Sequence, residues 1–152
     1  MAASQALTAL IDNLIALFNR ASMDLPDGYF TRHTQFLLNG VPFEEMLGRP
    51  ASDPLVLMLA RGPAGYRFTA KAVQHAIPDA RLQRGDLSER TDADVQILSG
   101  ECWLSGHYRA TQEPAELLIG VEMMLRGGVI ERVDTRIDPV ALARLHDARL
   151  RV

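Results

Sequence analysis

ELLIGVEMMLRGGVIERVDTRID, residues Glu116 to Asp138, decides the fold. Apolar side chains recur at every second position in its first half, at Leu117, Ile119, Val121, Met123 and Leu125. They recur again at Val129, Val133 and Ile137. Between the two runs, Arg126-Gly127-Gly128-Val129 supplies the backbone that a tight hairpin turn needs, because glycine adopts positive φ without steric cost. A period of two on both sides of such a turn predicts two antiparallel strands with one buried face. The other face carries Glu122, Arg132, Asp134, Arg136 and Asp138, all of one parity. With a three-residue loop, Glu122 is expected to face Arg132, and Leu118 to face Arg136. By period alone this is the solvent side, and which of the two faces lines a cavity stays open.

Working outward, the segment that follows the hairpin reads as a short helix from Pro139 to Leu150. Asp138 is its natural cap, since a carboxylate followed by Pro at the first helical position satisfies free backbone N–H groups. On the N-terminal side, 80–88 reads as a strand, 90–94 as a turn and 95–109 as a long strand or a bent pair. Gly100 and Gly106 mark candidate bulges within it. A helix is predicted over 64–77, with Tyr66, Thr69, Ala70, Val73 and Ile77 on one face and Pro78-Asp79 as its stop. Ser52-Asp53-Pro54 predicts a helix start and Leu55 to Ala60 its body. Val41 to Leu47 is open between strand and helical turn. Thr34 to Asn39 reads as a strand, and Gly28 to His33 as a turn of helix. Residues 4–20 carry an apolar stripe of Leu7, Leu10, Ile11, Leu14, Ile15 and Phe18 behind a capping Ser4.

Helices first and antiparallel strands afterwards make an α+β layout. A helical layer on a curved sheet encloses a cone, which usually holds an apolar pocket. At 152 residues the protein is one domain, large enough to bury roughly 68–70% of its unfolded surface. A net charge of −3 argues against nucleic acid and anionic membrane as partners, because both select a basic face. Lys71 is the only lysine, and the scattered arginines read as codon usage rather than as an anion site. The single Cys102 excludes an internal disulfide and fits a reducing cytosol. No basic leader and no apolar run near 18 residues is present, so a cytoplasmic location is expected.

Three local strings carry a family resemblance. They are Ala76-Ile77-Pro78-Asp79 at the exit of the second long helix, Gly106-His107 on the middle strand, and Gly128-Val129-Ile130 with Asp138 eight residues after Ile130. In this order, over residues 4–145, the sequence resembles the SnoaL-like polyketide cyclases of the nuclear transport factor 2-like superfamily. The resemblance implies a cone-shaped barrel of mainly antiparallel sheet packed on N-terminal helices. It also implies a homodimer and a pocket for a hydrophobic small molecule, with an acid/base at Asp138. Two positions depart from the family pattern: Asp134 stands where many members carry tryptophan, and Glu122-Met123-Met124 offers no histidine partner on the penultimate strand.

The candidate site follows from these readings. Asp138 is either a helix cap or a pocket acid/base; the first role lowers a carboxyl pKa and the second requires it raised by desolvation. His107, an imidazole able to move protons near neutral pH, and Asp134 are its candidate assistants. Tyr29, Phe36, Trp103, Met124 and Arg132 are candidate pocket residues. Cys102, of opposite parity to Trp103 and His107, reads as an inert buried thiol. His75 sits where a helix C-terminus favours positive charge, and His33 and His146 carry no signal. No metal-ligand spacing, phosphate loop or nucleophile elbow occurs, so neither a metal nor a cofactor is expected. The chemistry these residues allow is proton-transfer cyclisation or isomerisation beside a carbonyl. The alternatives are a non-catalytic binding or assembly module of the same fold, and the structural small subunit of an oxygenase.

Overall fold

The computed structural model describes residues 2–150 except 23, 26, 27, 47, 49–53 and 55–59. Helix α1, Gln5–Asn19, comes first. Strand β1, Phe30–Leu38, then turns back through Asn39-Gly40 into the two-residue strand β2, Val41–Pro42. A single helical turn, α2, covers Phe43–Met46, and the long helix α3 covers Gly62–Ala76. Four long strands follow: β3, Arg81–Asp92; β4, Val95–His107; β5, Pro114–Arg126; and β6, Val129–Ile137. Helix α4, Pro139–Leu150, comes last. The strands form one six-stranded sheet in the order β2-β1-β6-β5-β4-β3, antiparallel except for the β1–β6 pair. The architecture is the expected α+β one. The sheet does not close on itself, so the cone is open, with β2 and β3 at its edges.

Helix α1 forms where the apolar stripe predicts. The Ser4 side chain accepts the Leu7 N–H and so caps the helix. Leu7, Ile11, Leu14, Leu17 and Phe18 are buried, each contributing about 1.5–3 kcal/mol by leaving water. Asn19 fastens its far end to the sheet edge, accepting the Leu82 N–H at 2.7 Å and donating to the Leu82 carbonyl at 3.0 Å. Asn39 does the same at the opposite side with Ile137, at 2.8 and 3.0 Å. Each amide side chain stands in for a strand neighbour.

Several expectations are corrected. Gly28 to His33 is not a turn of helix: β1 starts at Phe30, whose partner is Ile130 on β6. That long-range pairing outweighs the weak local preference. Residues 90–94 are mostly strand, because β3 runs to Asp92 and the turn is confined to Ala93-Asp94, with Ala93 at φ 55°. The bulge in this hairpin lies on β3, between Arg84 and Leu87, and Gly100 of β4 pairs with Leu87 at its end. A Cβ on Gly100 would come within 2.4 Å of Leu87 Cδ2, so glycine here makes room rather than bending its own strand. The helix expected over 55–60, with its start at 52–54, lies outside the described residues.

The hairpin that decides the fold also has another register. Arg126 pairs with Val129 across a two-residue Gly127-Gly128 turn, and Glu131 is then an extra residue on β6. Beyond this bulge, Met124 faces Arg132, Glu122 faces Asp134, and Gly120 faces Arg136. The bulge also switches the inward parity, which is why Ile130 and Val133 are both buried.

Candidate functional site

The concave face of the sheet and the three long helices enclose a cavity of about 540 Å³, within the usual range for small-molecule sites. Its sheet wall is built row by row. Leu38, Thr135, Val121, Gly100 and Leu87 are consecutive partners across five strands, and all five line the cavity. Phe36, Val133, Met123 and Leu98 form the next row. Helix α1 contributes Ile11, Leu14 and Phe18, α3 contributes Tyr66, Phe68 and Val73, and α4 contributes Leu142 and Leu145. Aromatic side chains cluster at one side: Phe30 stacks on Tyr66 at 6.1 Å, Phe36 lies 5.9 Å from Phe43, and Phe43 meets Phe68 edge-on at 6.2 Å. Phe68 is 44% exposed and places an aromatic ring where the cavity meets solvent.

No carboxylate, imidazole, ammonium or guanidinium lines this cavity among the described residues. Its two ionisable side chains are Tyr66 and Cys102, and burial pushes both pKa values up against smaller opposing effects of Arg20 and Arg84. A raised tyrosine or thiol pKa keeps the neutral form at physiological pH, so the wall formed by the described residues is uncharged. Tyr66 Oη is shut off from water without a hydrogen-bond partner among the described residues, and Thr69 Oγ1 donates to the Gly65 carbonyl at 3.0 Å. Among the described residues no group of three His, Cys, Asp or Glu side chains is placed to hold a metal ion.

Of the residues singled out by sequence, Phe36 lies in the wall. Trp103 does not: it is 53% exposed on the convex face, beside Leu118, its partner on β5. Met124 and Arg132 face each other on that same convex side and are half-buried there. The alternation of β4 is real, but the face that Trp103 shares with His107 is the outer one. Tyr29 packs against the larger hydrophobic cluster without reaching the cavity wall.

The three candidate acid/base groups also lie outside the cavity, each with its own partners. Asp138 is exposed and caps α4, its Oδ2 accepting the N–H groups of Val140 at 3.1 Å and Ala141 at 3.2 Å. Asp134 is buried on the convex side, where Oδ1 accepts the Gly40 N–H at 3.2 Å and Oδ2 accepts Arg136 Nη2 at 2.9 Å. It closes the β1–β2 turn. Glu122, directly opposite and of the same charge, turns to Arg90 at 3.9 Å. His107 is exposed, with Nδ1 held 2.7 Å from Asp79 Oδ2. His75 is exposed at the last turn of α3, and its carbonyl accepts Arg109 Nε at 2.8 Å. Thr135 and Val121 are wall residues beyond those singled out by sequence, although their strand parity with Ile137 and Met123 signals the inward face.

No family model matches the sequence, and no curated protein matches it. Solved structures do. A SnoaL-like polyketide cyclase from Agrobacterium tumefaciens str. C58 superposes with a TM-score of 0.62 at 18% identity, covering 93% of this protein and 98% of that one. A nuclear transport factor 2-like superfamily protein from Salmonella enterica serovar Typhimurium gives 0.61 at 11% identity, covering 86% and 87%. TerC, co-crystallised with polyporic acid, gives 0.57 at 18% identity, covering 92% and 97%. The protein therefore has the SnoaL-like, nuclear transport factor 2-like fold that its sequence resembles.

Proposed function

From this fold and its uncharged cavity, we propose that the protein binds one neutral, apolar or aromatic small molecule without carrying out acid–base chemistry on it. The observation behind this reading is the wall itself. A general acid or base must come within hydrogen-bond reach of the reacting atom, about 2.6–3.2 Å or one water away. Asp138, His107 and Asp134 are instead engaged outside the cavity by a helix end, by Asp79 and by Gly40 with Arg136. A charged ligand would lose its hydration here and meet no counter-ion, which is costly. An apolar ligand gains about 25 cal/mol for each Å² it removes from water.

Titration with 1-aminoanthracene, a neutral fluorophore that brightens in apolar surroundings, tests the reading. We expect saturable 1:1 binding that is insensitive to salt and abolished in Val121→Phe, which fills the cavity from its sheet wall. Absence of saturable binding up to the solubility limit of the probe refutes the proposal.

The convex face supports a second proposal, that two copies of the protein associate through it. Trp103 and Leu118 are exposed side by side there, a costly arrangement for a free surface. Around them the face carries both signs of charge, with Glu101, Glu116 and Glu122 on the central strands and Arg132 and Arg136 on β6. A two-fold axis sets such a face against its own complement.

A further inference from the structure

Thr135 is the member of its cross-strand row that a cavity made for hydrocarbon alone does not require. Its row partners on the wall, Leu38, Val121, Gly100 and Leu87, offer no polar side-chain atom. The backbone carbonyl of Thr135 is occupied, accepting the Asn39 N–H at 2.8 Å. Its hydroxyl has no hydrogen-bond partner among the described residues. Nor is it one of the sealed-off polar atoms; those are Tyr66 Oη and Glu44 Oε2. Thr135 Oγ1 is therefore not fully buried, and it belongs to a residue that lines the cavity. Of the other hydroxyls in the wall, that of Thr69 already donates to Gly65 and that of Tyr66 is sealed off. Valine has the same branched shape and the same liking for strands, and it leaves no hydroxyl unpaired on an apolar wall.

We propose that Thr135 is the recognition point for a single oxygen on the ligand, so that the site selects a neutral apolar molecule bearing a carbonyl or hydroxyl group over the bare hydrocarbon. This rests on the cavity-binding reading above. A threonine hydroxyl serves either chemistry, donating to a carbonyl or accepting from a hydroxyl. The surrounding wall supplies affinity without direction, and Thr135 fixes which end of the ligand lies against β6.

The test compares fluorene with 9-fluorenone, two probes of nearly one shape that differ by a carbonyl, against wild type, Thr135→Val and Thr135→Ser. Calorimetric or fluorescence titration should show 9-fluorenone losing about two- to tenfold in affinity in Thr135→Val, the worth of one neutral hydrogen bond. Fluorene should bind that variant at least as well as wild type, and Thr135→Ser should keep the preference for 9-fluorenone. Equal losses for both probes, no change for either, or loss of the fold in Thr135→Val would each overturn the assignment, making the residue a packing group. Failure of wild type to bind either probe would overturn the cavity reading itself, and this inference with it.

Discussion

Asp79 holds His107 with both carboxylate oxygens: Oδ1 accepts the His107 backbone N–H and Oδ2 lies against Nδ1, each at 2.7 Å. The contact joins the exit of α3 to the end of β4. Gly106 makes the approach possible, since a Cβ there would come within 2.8 Å of Asp79 Oδ1 and 2.5 Å of Ile77 Cγ2. The side-chain bond from His107, and then its backbone bond, hold the Asp79 carboxyl below the ordinary carboxylate value.

That direction fixes a pH dependence. A carboxyl whose pKa is lower in the folded protein than in the unfolded one stabilises fully above the unfolded value of about 3.9. The contribution disappears as pH falls through the lower, folded value. Thermal melts of wild type and Asp79→Asn should therefore differ at neutral pH and converge in acid below that value. A gap that stays constant from neutral pH to strong acid would show that the contact does not couple to folding.

Asp138 offers a separate measurement. Its Oδ2 caps α4, and α4 brings Leu142 and Leu145 to the cavity. Asp138→Ala should lower stability by about 0.5–2 kcal/mol in denaturant titrations. Asp138→Asn keeps a capping oxygen and should lose only about 0.3–1 kcal/mol, from the missing charge at the helix N-terminus. Probe affinity should survive in the Asn variant. Were a substrate found, a drop in turnover of about 10²–10⁴-fold in Asp138→Asn would restore the acid/base role and sink the purely structural one.

The association through the convex face is readable from one residue. Trp103 is the only tryptophan, so tryptophan emission reports on that face. Light scattering at tens of micromolar should give about twice the monomer mass of 16.8 kDa. Trp103→Glu should halve the particle mass while leaving the melting of the monomer nearly unchanged, because the side chain is 53% exposed. Dilution of wild type should shift the tryptophan emission to the red. A wild-type particle of monomer mass would end this proposal.

What the sequence determined is what short-range chemistry determines. The stripe of α1, the Gly127-Gly128 turn, the alternation of Leu117 to Leu125 and the cap at Asp138 all follow from periods and caps spanning a few residues. These preferences act whatever the rest of the protein does. The tertiary structure decided matters that depend on distant partners. Parallel pairing with Ile130 made Phe30 extended, and the extra Glu131 set the register that puts Glu122 against Asp134. Above all, it decided which face of β4 curves inward. Alternation says that Cys102 and Trp103 point opposite ways, but both faces have the same period. Only sheet twist and helix packing choose the concave one, and they leave Cys102 in the cavity wall and Trp103 outside.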